Sequence, residues 1–113
     1  MTEPDVVLGT VGYMAPEQLF GDEPTARSDV YAAGATLYEM LAGRPPLRLD
    51  GGDVRAVLRA MTRPIEPLSA VRPSVPEALA AGVMQALARR PADRHASCRA
   101  MREACGLDAA LAA

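Results

Sequence analysis

The sequence predicts a mainly α-helical chain with long irregular connections, and three observations carry that prediction. Between Val30 and Ala42 the only charged residue is Glu39, and the run stops at Gly43-Arg44-Pro45-Pro46. Past Asp53, apolar residues recur at Val54, Val57, Leu58 and Met61, the i, i+3, i+4, i+7 spacing of one helix face. Nowhere does a sustained apolar–polar alternation mark a half-buried strand.

The opening, Met1 to Tyr13, holds Pro4, Gly9 and Gly12 and lacks helical periodicity, so it reads as loop or extended chain. Pro16-Glu17-Gln18-Leu19 suits a short helical turn with proline at its first position, and Gly21 and Pro24 end it. Ser28 is the candidate N-cap of the next helix, with Asp29 in the first turn where the helix dipole favours a negative charge. A helix apolar nearly all round must be surrounded by protein, which makes the segment to Ala42 the central helix of the fold.

Asp53 caps a third helix that turns Val54, Val57, Leu58 and Met61 inward and leaves Arg55 and Arg59 in water. Residues 63–76 contain Pro64, Pro67, Pro73 and Pro76 and read as a surface loop. Ser74-Val75-Pro76-Glu77 has the pattern of a capping box, and the helix it starts runs to about Arg89, buried through Leu79, Val83, Ala86 and Leu87. After Pro91, Ser97 caps a last helix with Cys98, Met101 and Cys105 inward and Gly106 as its stop.

Composition narrows the function. With 12 basic and 14 acidic residues, a net charge of -2 and no run of either sign, the chain has no nucleic-acid footprint. No apolar stretch reaches membrane-span length, and Met1-Thr2-Glu3-Pro4-Asp5 is acidic and unlike a signal peptide, so a cytoplasmic location is expected. The two cysteines, Cys98 and Cys105, stand about 10.5 Å apart if helical. A disulfide needs Cα atoms within about 7 Å, so buried reduced thiols are expected.

All 12 basic residues are arginine; lysine and asparagine are absent, and His95 is the single histidine. A mechanism that places a lysine on phosphate has no residue to use here. Asp50-Gly51-Gly52-Asp53 lacks the ligand count of a calcium loop, and one histidine makes no metal cluster. No catalytic, cofactor-binding or metal-ligating residue is assigned.

Four segments in order carry a resemblance: Gly9-Thr10-Val11-Gly12-Tyr13-Met14-Ala15-Pro16-Glu17, Ser28-Asp29-Val30-Tyr31-Ala32-Ala33-Gly34, Leu37-Tyr38-Glu39-Met40-Leu41-Ala42-Gly43-Arg44-Pro45-Pro46, and Arg90-Pro91-Ala92-Asp93-Arg94-His95-Ala96-Ser97. Together they resemble the C-terminal lobe of Ser/Thr protein kinases, most of all the bacterial eukaryotic-like group, from the end of the activation segment onward. The resemblance divides the chain into an activation-segment end, peptide loop and Ala-Pro-Glu turn over 1–27, a helical lobe over 28–105 and a tail over 106–113.

It implies a peptide-substrate loop at Thr10, Val11, Gly12 and Tyr13, with the Thr10 hydroxyl directed toward the catalytic residues of a whole domain. It pairs Glu17 with Arg94 as a partly buried ion pair, a task suited to a guanidinium fork because the fork fixes geometry as well as charge. Asp29 matches an aspartate that holds the catalytic-loop backbone in a whole kinase; within this chain it is read more simply as an N-terminal charge on its helix.

The family's glycine-rich loop, lysine, catalytic-loop Asp and Asn, and metal-binding Asp all precede Ala-Pro-Glu. ATP and Mg2+ are therefore implied for the complete domain and not for this chain, and the chain alone is expected to be inactive. Leu19-Phe20-Gly21 is a decoy for the metal-binding motif, since Leu replaces Asp and the motif falls after Ala-Pro-Glu. The implied partners are a protein substrate, the N-terminal half of a kinase domain, or a protein covering the central helix. An alternative reading is an inactive, kinase-derived interaction module.

Overall fold

The computed structural model describes residues 12–48 and 53–107, and within them it is helical with no strand. The helices are α1 (Pro16–Leu19), α2 (Ala26–Ala42), α3 (Val54–Thr62), α4 (Leu68–Val71), α5 (Glu77–Ala86) and α6 (Cys98–Ala104), with a 3-10 turn at Pro91–Asp93 between the last two.

Helix α2 is the axis of the molecule. Its cap is Thr25, not Ser28: the Thr25 Oγ accepts from the Ser28 N–H at 3.3 Å, and the Ser28 Oγ accepts from the Thr25 N–H at 2.6 Å. This reciprocal box satisfies two otherwise orphaned donors and starts the helix before Ser28, which lies buried inside the first turn. The helix ends at Gly43, whose φ of 81° is left-handed backbone that a side chain would strain. Arg72 donates from Nε to the Leu41 carbonyl at 3.2 Å and from Nη2 to that of Ala42 at 3.4 Å, placing a cation on the negative end of the helix dipole.

One face of α2 (Val30, Tyr31, Gly34, Ala35, Tyr38 and Ala42) is buried against α4, α5 and α6. The other is not covered by the described residues: Thr36 is exposed, Met40 is 73% exposed, and Leu37 and Leu41 are half-buried. Two close approaches set the helix spacing. A Cβ at Gly34 would stand 2.7 Å from the Ala86 Cβ, and one at Gly82 would stand 2.4 Å from the Cys105 Sγ. Only glycine lets α5 lie this close to α2 on one side and α6 on the other.

The remaining elements correct several expectations. Asp53 does cap α3, its Oδ1 accepting from the Ala56 N–H at 2.9 Å. The inward face, however, is Ala56 and Ala60, while Val57 and Met61 are half-buried and Leu58 is exposed; the Val54 side chain lies outside the described set. The proline-rich stretch is not all loop, because α4 buries Leu68 completely.

Helix α5 starts from Pro76 with no side-chain cap. Pro76 has an extended ψ of 142°, outside the helix, and Ser74 sits in a turn closed by the Val75 N–H and the Arg72 carbonyl. The helix buries Ala80, Gly82, Val83 and Ala86, with Leu87 just beyond and Leu79 only half-buried. It stops short of Arg89, where the chain turns its Ala88 and Arg89 carbonyls toward Arg94.

Ser97 caps α6 through the Ala100 N–H at 3.1 Å. Met101 and Cys105 are buried, but Cys98 is exposed at the first position of the helix. Both thiols are free, and burial pushes that of Cys105 up in pKa.

Candidate functional site

Among the described residues, the polar side chain with the most hydrogen bonds is Arg94, in the turn between α5 and α6. Its side chain is 0% exposed and that of Glu17 is 15% exposed. Nη1 donates to the Glu17 Oε2 at 2.8 Å and Nη2 to Oε1 at 2.9 Å, a fork-on-fork pair. The other donors are also used: Nε to the Ala88 carbonyl at 2.7 Å, Nη1 to that of Arg27 at 3.2 Å, and Nη2 to that of Arg89 at 3.0 Å. All five guanidinium N–H groups thus have an acceptor, the condition for burying this charge without an uncompensated loss of hydration. The guanidinium carbon stands 5.0 Å from the centroid of the Tyr31 ring, a cation–π contact.

The hydrogen bonds from Arg94 hold the Glu17 carboxyl below the usual carboxylate range, and burial lifts the Tyr31 hydroxyl to about 12. This one side chain ties α1, the start of α2 and the end of α5 together. The acceptor positions follow from local structure: Glu17 is in the first turn of α1, Arg27 in that of α2, and Ala88 and Arg89 lie where α5 unwinds.

Thr10 and Val11 lie outside the described residues. Gly12 is buried and Tyr13 half-buried just before α1. The Tyr13 hydroxyl donates to the Glu39 Oε2, and that bond to a carboxylate raises the tyrosine pKa. The segment before α1 is thereby joined to the middle of α2. Asp29 is exposed in the first turn of α2, its N–H donating to the Thr25 carbonyl at 3.0 Å.

Sequence reasoning missed Tyr13–Glu39, although a signal existed: Glu39 is the lone charge in an apolar run, and such a charge needs a partner. It also missed Tyr31 as the platform beneath Arg94. His95, next to Arg94, is 7% exposed, and both its ring nitrogens are buried without a hydrogen-bond partner among the described residues. Burial lowers its pKa.

Comparison with known proteins places the chain in a family. Residues 1–104 match the protein kinase domain family, and the chain belongs to it. It is 41% identical over 97 residues to the serine/threonine-protein kinase PknH of Mycobacterium tuberculosis, covering 86% of this chain and 15% of that protein. Against Pkn1 of Myxococcus xanthus it is 41% identical over 111 residues, covering 98% and 16% respectively. The PknI kinase domain of Mycobacterium tuberculosis, solved by crystallography, superposes with a TM-score of 0.63 at 34% identity, covering 86% of this chain and 34% of that domain. The chain therefore spans about a sixth of these curated relatives and about a third of the solved domain.

The family implies Mg-ATP, and the residues present do not fit it. The sequence contains neither lysine nor asparagine, and no group of three or more His, Cys, Asp or Glu side chains among the described residues could hold a metal ion. No helix of the described residues is long and apolar enough to cross a membrane.

Proposed function

We propose that this chain is the helical C-terminal lobe of a bacterial Ser/Thr protein kinase domain, from the end of the activation segment onward. In this reading, residues 1–27 dock the protein substrate and 28–105 are the lobe that supports them. Residues 106–113 are a tail. The complete domain transfers the ATP γ-phosphate to a Ser or Thr hydroxyl in the cytoplasm; Mg-ATP is held by other residues of that domain, and this chain alone transfers none.

Within that division of labour, Thr10, Val11, Gly12 and Tyr13 receive the peptide next to the accepting residue. Glu17 and Arg94 are positioning residues that fix the foot of this loop to the lobe, and Tyr13–Glu39 fixes its upper end. Asp29 faces the catalytic-loop backbone in the whole domain.

The observation that carries the reading is the saturated Arg94 guanidinium, which locks the Ala-Pro-Glu turn to α2 and α5. An anchor of that cost is useful where a loop must be held in one geometry for docking. The relatives named above are all described as kinases, and none favours the alternative of a stand-alone interaction module.

The test is phosphate transfer to a Ser/Thr peptide by the complete polypeptide that carries this sequence, beside the 113-residue chain alone. Transfer by the complete polypeptide, lost in Thr10→Ala and absent from the short chain, is expected. Transfer by the short chain would overturn the proposal.

A further inference from the structure

Helix α3 carries more apolar surface than its own seat uses. It is held through Ala56 and Ala60, which are 1% and 2% exposed. Among the described residues, no α3 side chain belongs to the core built around α2 or to the partly buried side chains packed against that core. Val57 and Met61 are only half-buried, and Leu58 is 46% exposed. A single surface leucine needs no explanation, but three large apolar side chains on one stripe of a nine-residue helix outside the core do.

At about 100° per residue, Val57 and Met61 fall on one side of Leu58, and Arg55 and Arg59 fall on the other. The outer surface of α3 is therefore two parallel stripes, one apolar and one cationic. Both arginines are exposed, and neither has an ion-pair partner among the described residues. The acid that begins the helix, Asp53, accepts from the Ala56 N–H at the cap, about 9 Å along the axis from Arg59.

We infer that the outer face of α3 docks an amphipathic helix of a partner protein, one whose apolar stripe is flanked by Asp or Glu. A second helix offers both features at matching spacing: apolar residues to lie on Leu58 and Met61, and carboxylates beside them to meet the guanidinium forks. A second copy of this chain does not fit. Two-fold pairing of α3 on α3 sets arginine stripe against arginine stripe when the helices run antiparallel, and arginine stripe against apolar stripe when they run parallel. The surface makes no use of the Glu17–Arg94 anchor or of the segment before α1, so it goes beyond the proposed kinase role and stands independently of it.

Fluorescence anisotropy on the full 113-residue chain would compare two labelled model helices of about 18 residues, alike in their leucine stripe and flanked by Glu in one and by Lys in the other. The Glu helix is expected to bind at least tenfold tighter, and more weakly as salt rises. Leu58→Ser should weaken both at least tenfold, the double variant Arg55→Glu, Arg59→Glu should reverse the preference, and Arg99→Ala, on exposed α6, should leave it intact. All of these side chains are exposed, and a thermal melt of each variant shows that the fold is kept. Asp50→Asn tests whether that acid, outside the described residues, answers the arginines: a change under twofold is expected, and a tenfold gain would overturn the charge assignment. Equal binding of the two helices, no saturable binding of the Glu helix, or an unchanged preference in the double variant would overturn the inference. So would binding to phosphatidylglycerol vesicles, or self-association in sedimentation velocity, that Leu58→Ser removes, since either gives this face a different occupant.

Discussion

Replacing Arg94 with alanine strips the acceptor groups around it of their partner at once. The Glu17 carboxylate, 15% exposed, keeps its charge and loses both bonds; the carbonyls of Arg27, Ala88 and Arg89 lose one each. Breaking a buried pair from one side costs about 3–5 kcal/mol, and the residual exposure of Glu17 puts this case near the lower end. For a domain of this size about 3 kcal/mol lowers Tm by roughly 12–24 °C. Glu17→Ala should cost a similar amount, since it leaves a guanidinium with 0% exposure facing no anion. The double variant removes both charges, so its loss should fall short of the sum by about 1–3 kcal/mol. Thermal and urea melts of the four proteins measure this directly. Losses that add to within about 0.5 kcal/mol would refute the coupling and with it the anchor.

Four further outcomes follow from the packing and the buried groups. His95 is lowered in pKa by burial, so the unfolded chain binds its proton first; stability should fall as pH drops below about 6.5, and His95→Phe should remove that slope in melts between pH 5 and 7.5. Glu17 acts in a lower window: its depressed folded pKa contributes stability that is complete above about 4.3 and is lost as pH falls through the folded value, a step absent from Glu17→Gln. Gly34→Ala drives a methyl to 2.7 Å from the Ala86 Cβ and should cost about 1–3 kcal/mol, with Ala86→Gly restoring part of it. Under native conditions a maleimide should modify Cys98 quickly and Cys105 only on unfolding, as read by intact mass.

Long apolar patterning was the most legible feature of the sequence. The nearly uncharged run to Ala42 announced α2 and its end at Gly43, because burial and a left-handed stop both leave marks on composition. The cap was less legible: Thr25 and Ser28 form a reciprocal box, and reading Ser28 alone starts the helix too late. On α3 the branched residues supplied the visible period, yet Ala56 and Ala60 are the buried ones, since a small side chain scores weakly in a pattern and still packs closely. Helix α4 is too short to have a period, and Pro76 has the φ of a first helical residue but the ψ of one outside it.

Periodicity has no reach across the site. Glu17 and Arg94 lie 77 residues apart, and only the four-block resemblance connected them in the sequence. The carbonyls of Arg27, Ala88 and Arg89 are backbone groups whose identity no side chain encodes; they become visible only where helices start and stop. Tyr13–Glu39, 26 residues apart, left one trace, an acid stranded in an apolar helix.

The most direct test of the central claim is isothermal calorimetry of Mg-ATP against the folded 113-residue chain, after a cooperative melt has established that it is folded. The account predicts no saturable heat, because neither the lysine nor a metal-holding group is present among the residues described. Saturable binding near one nucleotide per chain would contradict it and relocate the nucleotide site into this lobe.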